Sequence, residues 1–118
     1  PWKRFKKIIL IHSVRYSEEL IYQDLIAEMK QVYPNQFIYL NSVTSRKVDG
    51  SFNFRIPEGF LSKEFQKSTQ IEINEGSQFM ICGNPEMIKE TTDVLKSFGL
   101  NKNRRAKPGN ITVERYWV

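Results

Sequence analysis

Three arginines, Arg15, Arg46 and Arg55, are spaced along the chain in a way that suits binding of a phosphate group. A planar guanidinium group donates two parallel hydrogen bonds to phosphate oxygens, which a lysine does not reproduce. Each such contact contributes roughly 1.5–3 kcal/mol, so two of them on a 2′-phosphate favour NADP over NAD about a hundredfold or more. NAD sites instead place an acid on the ribose hydroxyls. Any one of these arginines, taken alone, is also explained as a surface residue.

A second candidate site is the segment from Cys82 to Pro85, where a predicted strand meets a predicted helix. Gly83 allows a ligand ring to approach the backbone closely. Asn84 and Pro85 begin the helix, and its amino end favours an anion. A small buried cysteine next to an ordinary helix cap explains the same residues, so both interpretations stay open from the residues alone.

The carboxy-terminal residues, from Glu114 to Val118, include the adjacent aromatics Tyr116 and Trp117. Packing in the core is the simple explanation, and stacking on a flat cofactor is the more specific one. The single histidine, His12, lies beside an apolar run and is interpreted as structural. One cysteine forms no internal disulfide, which predicts a cytoplasmic protein, and a structural zinc site is not expected.

Alternating strand and helix patterns predict the elements that position these residues. Strands are predicted at residues 7–13, 37–43, 78–82 and 111–117. Residues 44–54 are predicted to form a loop and residues 59–67 a short helix. This order is typical of a parallel α/β sheet, in which ligands bind at the carboxyl ends of the strands.

Two longer helices connect the strands. Ser17 is predicted to cap the first helix and Pro34 to end it. The second begins at Asn84 and Pro85 and is closed by Gly99. The residues expected to face the core are Ile21, Leu25, Met29 and Val32 in the first helix, and Met87, Val94, Leu95 and Phe98 in the second.

Composition limits the class of protein. A chain of 118 residues with 40% hydrophobic and 26% charged residues forms one domain at most. It has no apolar run of the roughly 20 residues that a membrane span requires and no signal-peptide pattern. The net charge of +5 predicts acidic partners, which include nucleic acid, phosphate-bearing cofactors and acidic proteins. Nucleic-acid binding is set aside because the sequence carries no recognisable motif for it.

The same motifs, in this order, resemble those of the ferredoxin–NADP reductase family in its bacterial branch, over almost the whole chain. The matching segments are Arg4-Phe5-Lys6, His12-Ser13-Val14-Arg15-Tyr16, Ser45-Arg46, Arg55-Ile56-Pro57, Met80-Ile81-Cys82-Gly83-Asn84-Pro85-Glu86-Met87, Arg104-Arg105, Pro108-Gly109 and Thr112-Val113-Glu114-Arg115-Tyr116-Trp117. Two positions depart from the family pattern. Phe54 stands where the family has glycine, and Val118 extends past the expected aromatic end.

The resemblance implies a set of site residues. Arg15, Arg46 and Arg55 would hold the 2′-phosphate and adenosine end of NADP(H), with Tyr16 beside them. The residues implied at the nicotinamide and flavin end are Cys82, Gly83 and Asn84 near the nicotinamide, Glu114 as an acid near the active site, Tyr116 stacking on the isoalloxazine ring, and Trp117 towards the FAD adenine.

The resemblance also implies what a complete protein would contain. The family joins an FAD-binding β-barrel to an NADP-binding α/β domain, and residues 1–118 match only part of the second, without its first strand and glycine-rich loop. That strand is expected at the centre of the sheet, between residues 7–13 and 78–82. Without it the chain is expected to fold poorly alone, so a longer parent chain or a second chain is expected to supply the FAD-binding half.

The implied function is that of a flavoprotein that moves a hydride between NADPH and FAD, and electrons to or from ferredoxin or flavodoxin. The alternative is a non-catalytic NADP-binding remnant or regulatory module.

Overall fold

The computed structural model describes residues 3–104 and 107–115. Its strands are β1 (Ile8–Val14), β2 (Phe37–Val43), β3 (Phe79–Gly83) and β4 (Ile111–Arg115). Its helices are α1 (Gln23–Val32), α2 (Ile56–Leu61), α3 (Glu64–Thr69) and α4 (Pro85–Ser97). Contacts divide the chain into two compact units, one ending at Arg55 and one beginning at Ile56. The predicted alternation of strands and helices is confirmed, whereas a single partial domain over residues 1–118 stays a prediction.

The first unit is built on a parallel pair of strands, β1 and β2, with Ile8 opposite Phe37 and Val14 opposite Val43. Phe52 forms an isolated parallel bridge with β2, because Phe52 N–H donates to the Asn41 carbonyl at 2.9 Å and Val43 N–H donates to the Phe52 carbonyl at 2.8 Å. The predicted loop over residues 44–54 is confirmed, since no helix or strand forms there. The sequence does not show that Phe52 pairs with β2, because this pairing depends on where the two segments meet in the fold.

The first helix begins later than predicted. Ser17 does not cap α1; it starts a short 3-10 turn, Ser17–Glu19, which the Glu19 side chain closes by accepting from Tyr16 N–H at 2.9 Å. Tyr22, at the amino end of α1, has a left-handed backbone with φ 62°. The two acids after Ser17 therefore stabilise a tight turn rather than the first turn of a long helix.

The core-facing row of α1 also differs from the prediction. Ile26 is buried, whereas Ile21, Leu25 and Val32 are between 52% and 60% exposed. The side of α1 that carries Gln23 and Ile26 packs on β2, since the Gln23 side-chain amide lies 3.3 Å from the Tyr39 hydroxyl. At about 100° per residue, Leu25 and Val32 lie roughly 100° and 120° around the helix from Ile26, and the partly buried Met29 lies roughly 60° from it. Ile21 precedes the helix. The apolar residues of α1 thus cover a wider part of the helix surface than the part that packs on the sheet of the same unit.

The second unit is built on the parallel pair β3 and β4, with Phe79 opposite Ile111 and Gly83 opposite Arg115. Its buried apolar residues are Phe60, Phe65, Ile81, Ile88, Leu95, Leu100 and Ile111. The predicted ends of α4 are confirmed, because the Asn84 side chain caps it, Pro85 is its first residue and Gly99 follows its end with φ 87°. Leu95 is buried as predicted, and Ile88 is a core residue that the prediction did not include.

The short helix predicted at residues 59–67 is interrupted. It forms two six-residue helices, α2 and α3. Lys63 between them has a left-handed backbone with φ 65°, which breaks the helical hydrogen-bond ladder. Phe60 of α2 packs edge-to-face on Phe65 of α3 at 5.0 Å between ring centroids. Packing of these two aromatic rings favours the break over a continuous helix.

Each sheet has two named strands, with β1 beside β2 and β3 beside β4. Within residues 3–104 and 107–115, no segment pairs with the second edge of β1 or of β3. Both pairs are parallel and alternate with helices, as the predicted α/β fold class requires. In the described part of the chain, no helix is long and apolar enough to cross a bilayer, and no cluster of acidic, histidine and cysteine side chains suits a metal ion.

His12 lies in β1, with Nδ1 3.3 Å from the Tyr39 hydroxyl of β2. Burial lowers its pKa below the usual 6.5, because removing the ring from water disfavours the charged form. The unfolded chain therefore takes up a proton at higher pH than the folded chain does. Above about pH 6.5 His12 is neutral in both states and its burial does not oppose folding. We expect the free energy of unfolding to decrease as the pH falls below this value, because the unfolded chain then takes up a proton more readily.

Urea unfolding midpoints at pH 7.5, 6.5 and 5.5 test this expectation. The fall in midpoint on acidification should be smaller in His12→Gln than in the parent chain, whatever the difference between the two at pH 7.5. Identical pH profiles for both proteins would contradict the assignment of a depressed pKa to His12.

Candidate functional site

Arg15 and Arg46 are brought together by the ends of β1 and β2. Beyond the strands the ladder continues, with Thr44 N–H donating to the Val14 carbonyl at 3.0 Å and Ser45 N–H donating to the Arg15 carbonyl at 2.9 Å. Arg46 follows directly on Ser45. Both arginines are exposed, and neither makes an ion pair with any residue that the structure describes. Their guanidinium groups are therefore available for a ligand.

Arg55 reaches the same edge of the first unit through residues 51–54. The Asn53 side-chain amide donates to the Val43 carbonyl at 2.7 Å, and the ring of Phe52 stacks on that of Phe54 with centroids 4.9 Å apart. These contacts hold residues 51–54 beside the end of β2. Because these residues run parallel to β2, Arg55 follows at the carboxyl end of a third parallel segment. Arg55 is exposed.

The three arginines thus follow three neighbouring, parallel pieces of backbone in one unit. Tyr16, half exposed at 50%, adjoins Arg15 on the same side. Carboxyl ends of parallel strands are where open α/β sheets bind ligands. An exposed group of guanidinium ions fits a phosphate dianion, which accepts charge-assisted hydrogen bonds from each of them. On donor chemistry, the residues present fit the 2′-phosphate and adenosine end of NADP(H).

The second unit brings Cys82 and Glu114 together. They are direct partners across the β3–β4 pair, and neighbouring strands lie about 4.8 Å apart. Glu114 is exposed and Cys82 is partly buried. Because directly paired residues project from the same face of a sheet, a thiol and a carboxylate are presented side by side at the carboxyl end of β3.

Gly83 ends β3 in a conformation that favours glycine. Its φ is 150°, and a Cβ atom built on it would lie 2.5 Å from the Cε atom of Met87. The Met87 side chain therefore occupies the space that a side chain at position 83 would need, which accounts for a glycine there. Close approach of a ligand ring to Gly83 stays a prediction.

Asn84 has a clear local role. Its side-chain oxygen accepts a hydrogen bond from Met87 N–H at 2.9 Å, which satisfies one of the unpaired donors in the first turn of α4. The side chain is thus committed to the helix cap. A cofactor contact from Asn84 stays a prediction.

Tyr116 and Trp117 lie outside the described residues, so their predicted contacts with the flavin stay predictions. Sequence reasoning missed Ser42 and Asn53, whose side chains hold the segment before Arg55. The available signal was the pair of polar residues Asn41 and Ser42 near the end of a predicted strand, between Leu40 and Val43. A polar residue in such a position is usually hydrogen-bonded when it is buried.

Comparison with known proteins adds a family and a set of relatives. Residues 2–93 match the model of the oxidoreductase NAD-binding domain. The flavodoxin/ferredoxin–NADP reductase of Buchnera aphidicola subsp. Baizongia pistaciae is 39% identical over 98% of this chain and 47% of its own length. That of Escherichia coli K12 is 34% identical over 97% of this chain and 47% of its own length. The chain therefore spans about half the length of the curated relatives it matches.

Solved structures agree with these relatives. A ferredoxin NADP⁺ reductase from Neisseria gonorrhoeae, crystallised with bound FAD and NADP, superposes with a TM-score of 0.87 at 32% identity, covering 98% of this chain and 46% of that one. A cytochrome P450 reductase from Amycolatopsis superposes with a TM-score of 0.63 at 20% identity, over 93% of this chain and 29% of its own, which shows the fold alone. The predicted resemblance and the predicted α/β fold class are confirmed.

Proposed function

Because this chain belongs to the oxidoreductase NAD-binding domain family, we propose that it binds NADP(H) as the nucleotide-binding part of a ferredoxin/flavodoxin–NADP reductase. The observation that carries the proposal is the grouping of Arg15, Arg46 and Arg55 at one edge of the first unit. A site for NAD would place an acid on the ribose hydroxyls. Three guanidinium groups instead favour a ligand that carries a further phosphate.

The proposed reaction is hydride transfer between the nicotinamide C4 atom of NADP(H) and FAD. The flavin would be bound mainly by a part of the protein outside residues 1–118, with Tyr116 and Trp117 contributing from this chain. Cys82 and Gly83, at the end of β3, would orient the nicotinamide ring, and Glu114 beside Cys82 would set the local charge. The protein's task in such a reaction is to orient the two rings and to exclude water.

Two features support the proposal that the nucleotide-binding part works with a further segment. The chain spans 47% of the length of the Escherichia coli relative, and in the described residues β1 and β3 each keep one unpaired edge. Unpaired strand edges are usually covered or paired. The electron carrier would be ferredoxin or flavodoxin in the cytoplasm. The net charge of +5 would attract an acidic carrier.

Calorimetric titration of the purified chain with NADP⁺ and then with NAD⁺ tests the nucleotide preference, after circular dichroism has established that the chain is folded. We expect NADP⁺ to bind about a hundredfold more tightly than NAD⁺, as two charge-assisted contacts to a 2′-phosphate imply. Equal affinities in a folded chain would contradict the proposal.

A non-catalytic NADP-binding module is the second candidate. The three exposed arginines, Arg15, Arg46 and Arg55, support it equally well. The two candidates differ in flavin. A bound FAD in the protein purified from its natural source, seen as flavin absorption near 450 nm, supports the reductase. Tight NADP⁺ binding without any flavin supports the module.

A further inference from the structure

Ser42 is fully buried, with 0% of its surface exposed, one residue before the end of β2. Its hydroxyl group bonds twice to the backbone of Phe54, donating to the Phe54 carbonyl oxygen and accepting from Phe54 N–H at 3.0 Å. A serine hydroxyl has one donor and two acceptor positions. The Ser42 hydroxyl group therefore takes the place of a backbone partner and satisfies both the N–H and the carbonyl group of Phe54.

The contact between Ser42 and Phe54 lies next to the backbone hydrogen bonds between β2 and Phe52. Backbone hydrogen bonds join β2 to residues 51–54 only around Phe52, through Asn41 and Val43. At Phe54, two residues further on, the Ser42 side chain makes the connection. The next residue is Arg55. The Ser42 hydroxyl group thus holds the backbone of the residue that directly precedes Arg55.

From this geometry we infer that Ser42 is a positioning residue for Arg55 and thereby sets the preference for a 2′-phosphate. The inference rests on the proposed function, since it assigns Arg55 to the phosphate. Its physical basis is preorganisation. A guanidinium group held in place before the ligand arrives loses less conformational freedom on binding, and the gain appears as affinity for the group that it contacts.

The test compares two small probes that differ only in the group that Arg55 would bind. Adenosine 2′,5′-bisphosphate carries the 2′-phosphate and adenosine 5′-monophosphate lacks it. The dissociation constants of the full chain for both probes, measured by calorimetry, give a preference ratio. Ser42→Ala should lower this ratio about tenfold, in keeping with the loss of two buried hydrogen bonds, and should weaken binding of the monophosphate much less. Ser42→Thr, which keeps the hydroxyl group, should retain the ratio.

Ser51→Ala is the matched control. It also removes a serine hydroxyl group that joins β2 to residues 51–54, but Ser51 bonds to the Asn41 side chain rather than to Phe54, so the ratio should stay unchanged. Loss of the ratio in Ser42→Ala and Ser51→Ala alike would overturn the inference, because the effect would then come from general loosening of the segment. An unchanged ratio in a folded Ser42→Ala would overturn it directly.

Failure of the proposed function gives a different result. If the parent chain binds the two probes equally, the proposed NADP preference is wrong and the role of Ser42 is wrong with it. If the parent discriminates and Arg55→Ala does not, while Ser42→Ala discriminates as the parent does, only the inference fails.

Ser42→Ala leaves two buried backbone groups unpaired, so its folding must be checked by thermal melting. If it is unfolded at the assay temperature, Ser42→Cys takes its place, since a thiol has nearly the same size and bonds weakly. The parent chain offers an independent measurement. The Phe54 amide proton should exchange slowly with solvent, and adenosine 2′,5′-bisphosphate should slow it further. Rapid exchange at Phe54 in the folded parent would overturn the inference.

Discussion

Arg46→Ala is expected to weaken binding of NADP⁺ about tenfold to a hundredfold while the affinity for NAD⁺ stays within about twofold. A charge-assisted hydrogen bond contributes roughly 1.5–3 kcal/mol, and 1.4 kcal/mol corresponds to a factor of ten in affinity. Arg46 is exposed at the end of β2 and makes no ion pair with a described residue. Its removal should therefore disturb the ligand and leave the fold intact. Calorimetric titration with both nucleotides measures the two affinities.

Lys47→Ala is the matched control for Arg46→Ala. Lys47 is the next residue and is also exposed, so its replacement removes the same charge from nearly the same place. Because screened charges at the surface interact weakly, we expect less than about a threefold loss of NADP⁺ affinity. Arg46→Lys should also lose most of the affinity, since a lysine does not form the bidentate contact. Equal losses from Arg46→Ala and Lys47→Ala would indicate a general electrostatic attraction rather than a phosphate site.

Leu95→Ala is expected to lower the free energy of unfolding by about 2–5 kcal/mol. Leu95 lies in α4 with 0% of its surface exposed, and the core of its unit also contains Ile88, Leu100 and Ile111. Truncation removes the apolar contacts of the side chain and leaves a cavity in a close-packed interior. Since a domain is usually stable by only about 5–15 kcal/mol, the urea unfolding midpoint should fall steeply.

Leu61→Ala tests whether burial causes this effect. Leu61 ends α2 in the same unit and is 60% exposed, so the same truncation should change the free energy of unfolding by less than about 0.5 kcal/mol. Both variants are compared with the parent by urea unfolding followed by circular dichroism. A stable Leu95→Ala would contradict the placement of this side of α4 in the core.

The register of β4 against β3 determines which residue lies beside Cys82. Glu114 faces Cys82 only in the observed register, in which Phe79 pairs with Ile111. A shift of the register by one residue would move Glu114 to the other face of the sheet. The Asn110 side chain supports this register, since it donates to the carbonyl oxygens of Glu75 and Ser77, both at 2.8 Å. The start of β4 is thus joined to the segment that precedes β3.

The sequence by itself determined the order and type of most elements. The continuous apolar run of β1 predicts a strand, which is confirmed. The ends of α4 follow from local chemistry, because Asn84 caps, Pro85 fits the first turn and Gly99 accepts a left-handed backbone. These signals act within a few residues and need no partner elsewhere in the chain. The arginines at strand ends were recognisable for the same reason, since position after a strand is a local property.

Only the tertiary structure decided which faces are buried and what holds the site. The apolar residues of α1 form two rows, and nothing within the helix indicates that Ile26, rather than Leu25 and Val32, packs on β2. The serine at position 42 gives no hint in the sequence that it bonds to Phe54, twelve residues away. Burial and hydrogen bonding depend on which segments meet in space. The placement of Arg55 beside Arg15 and Arg46 was therefore fixed by packing against β2.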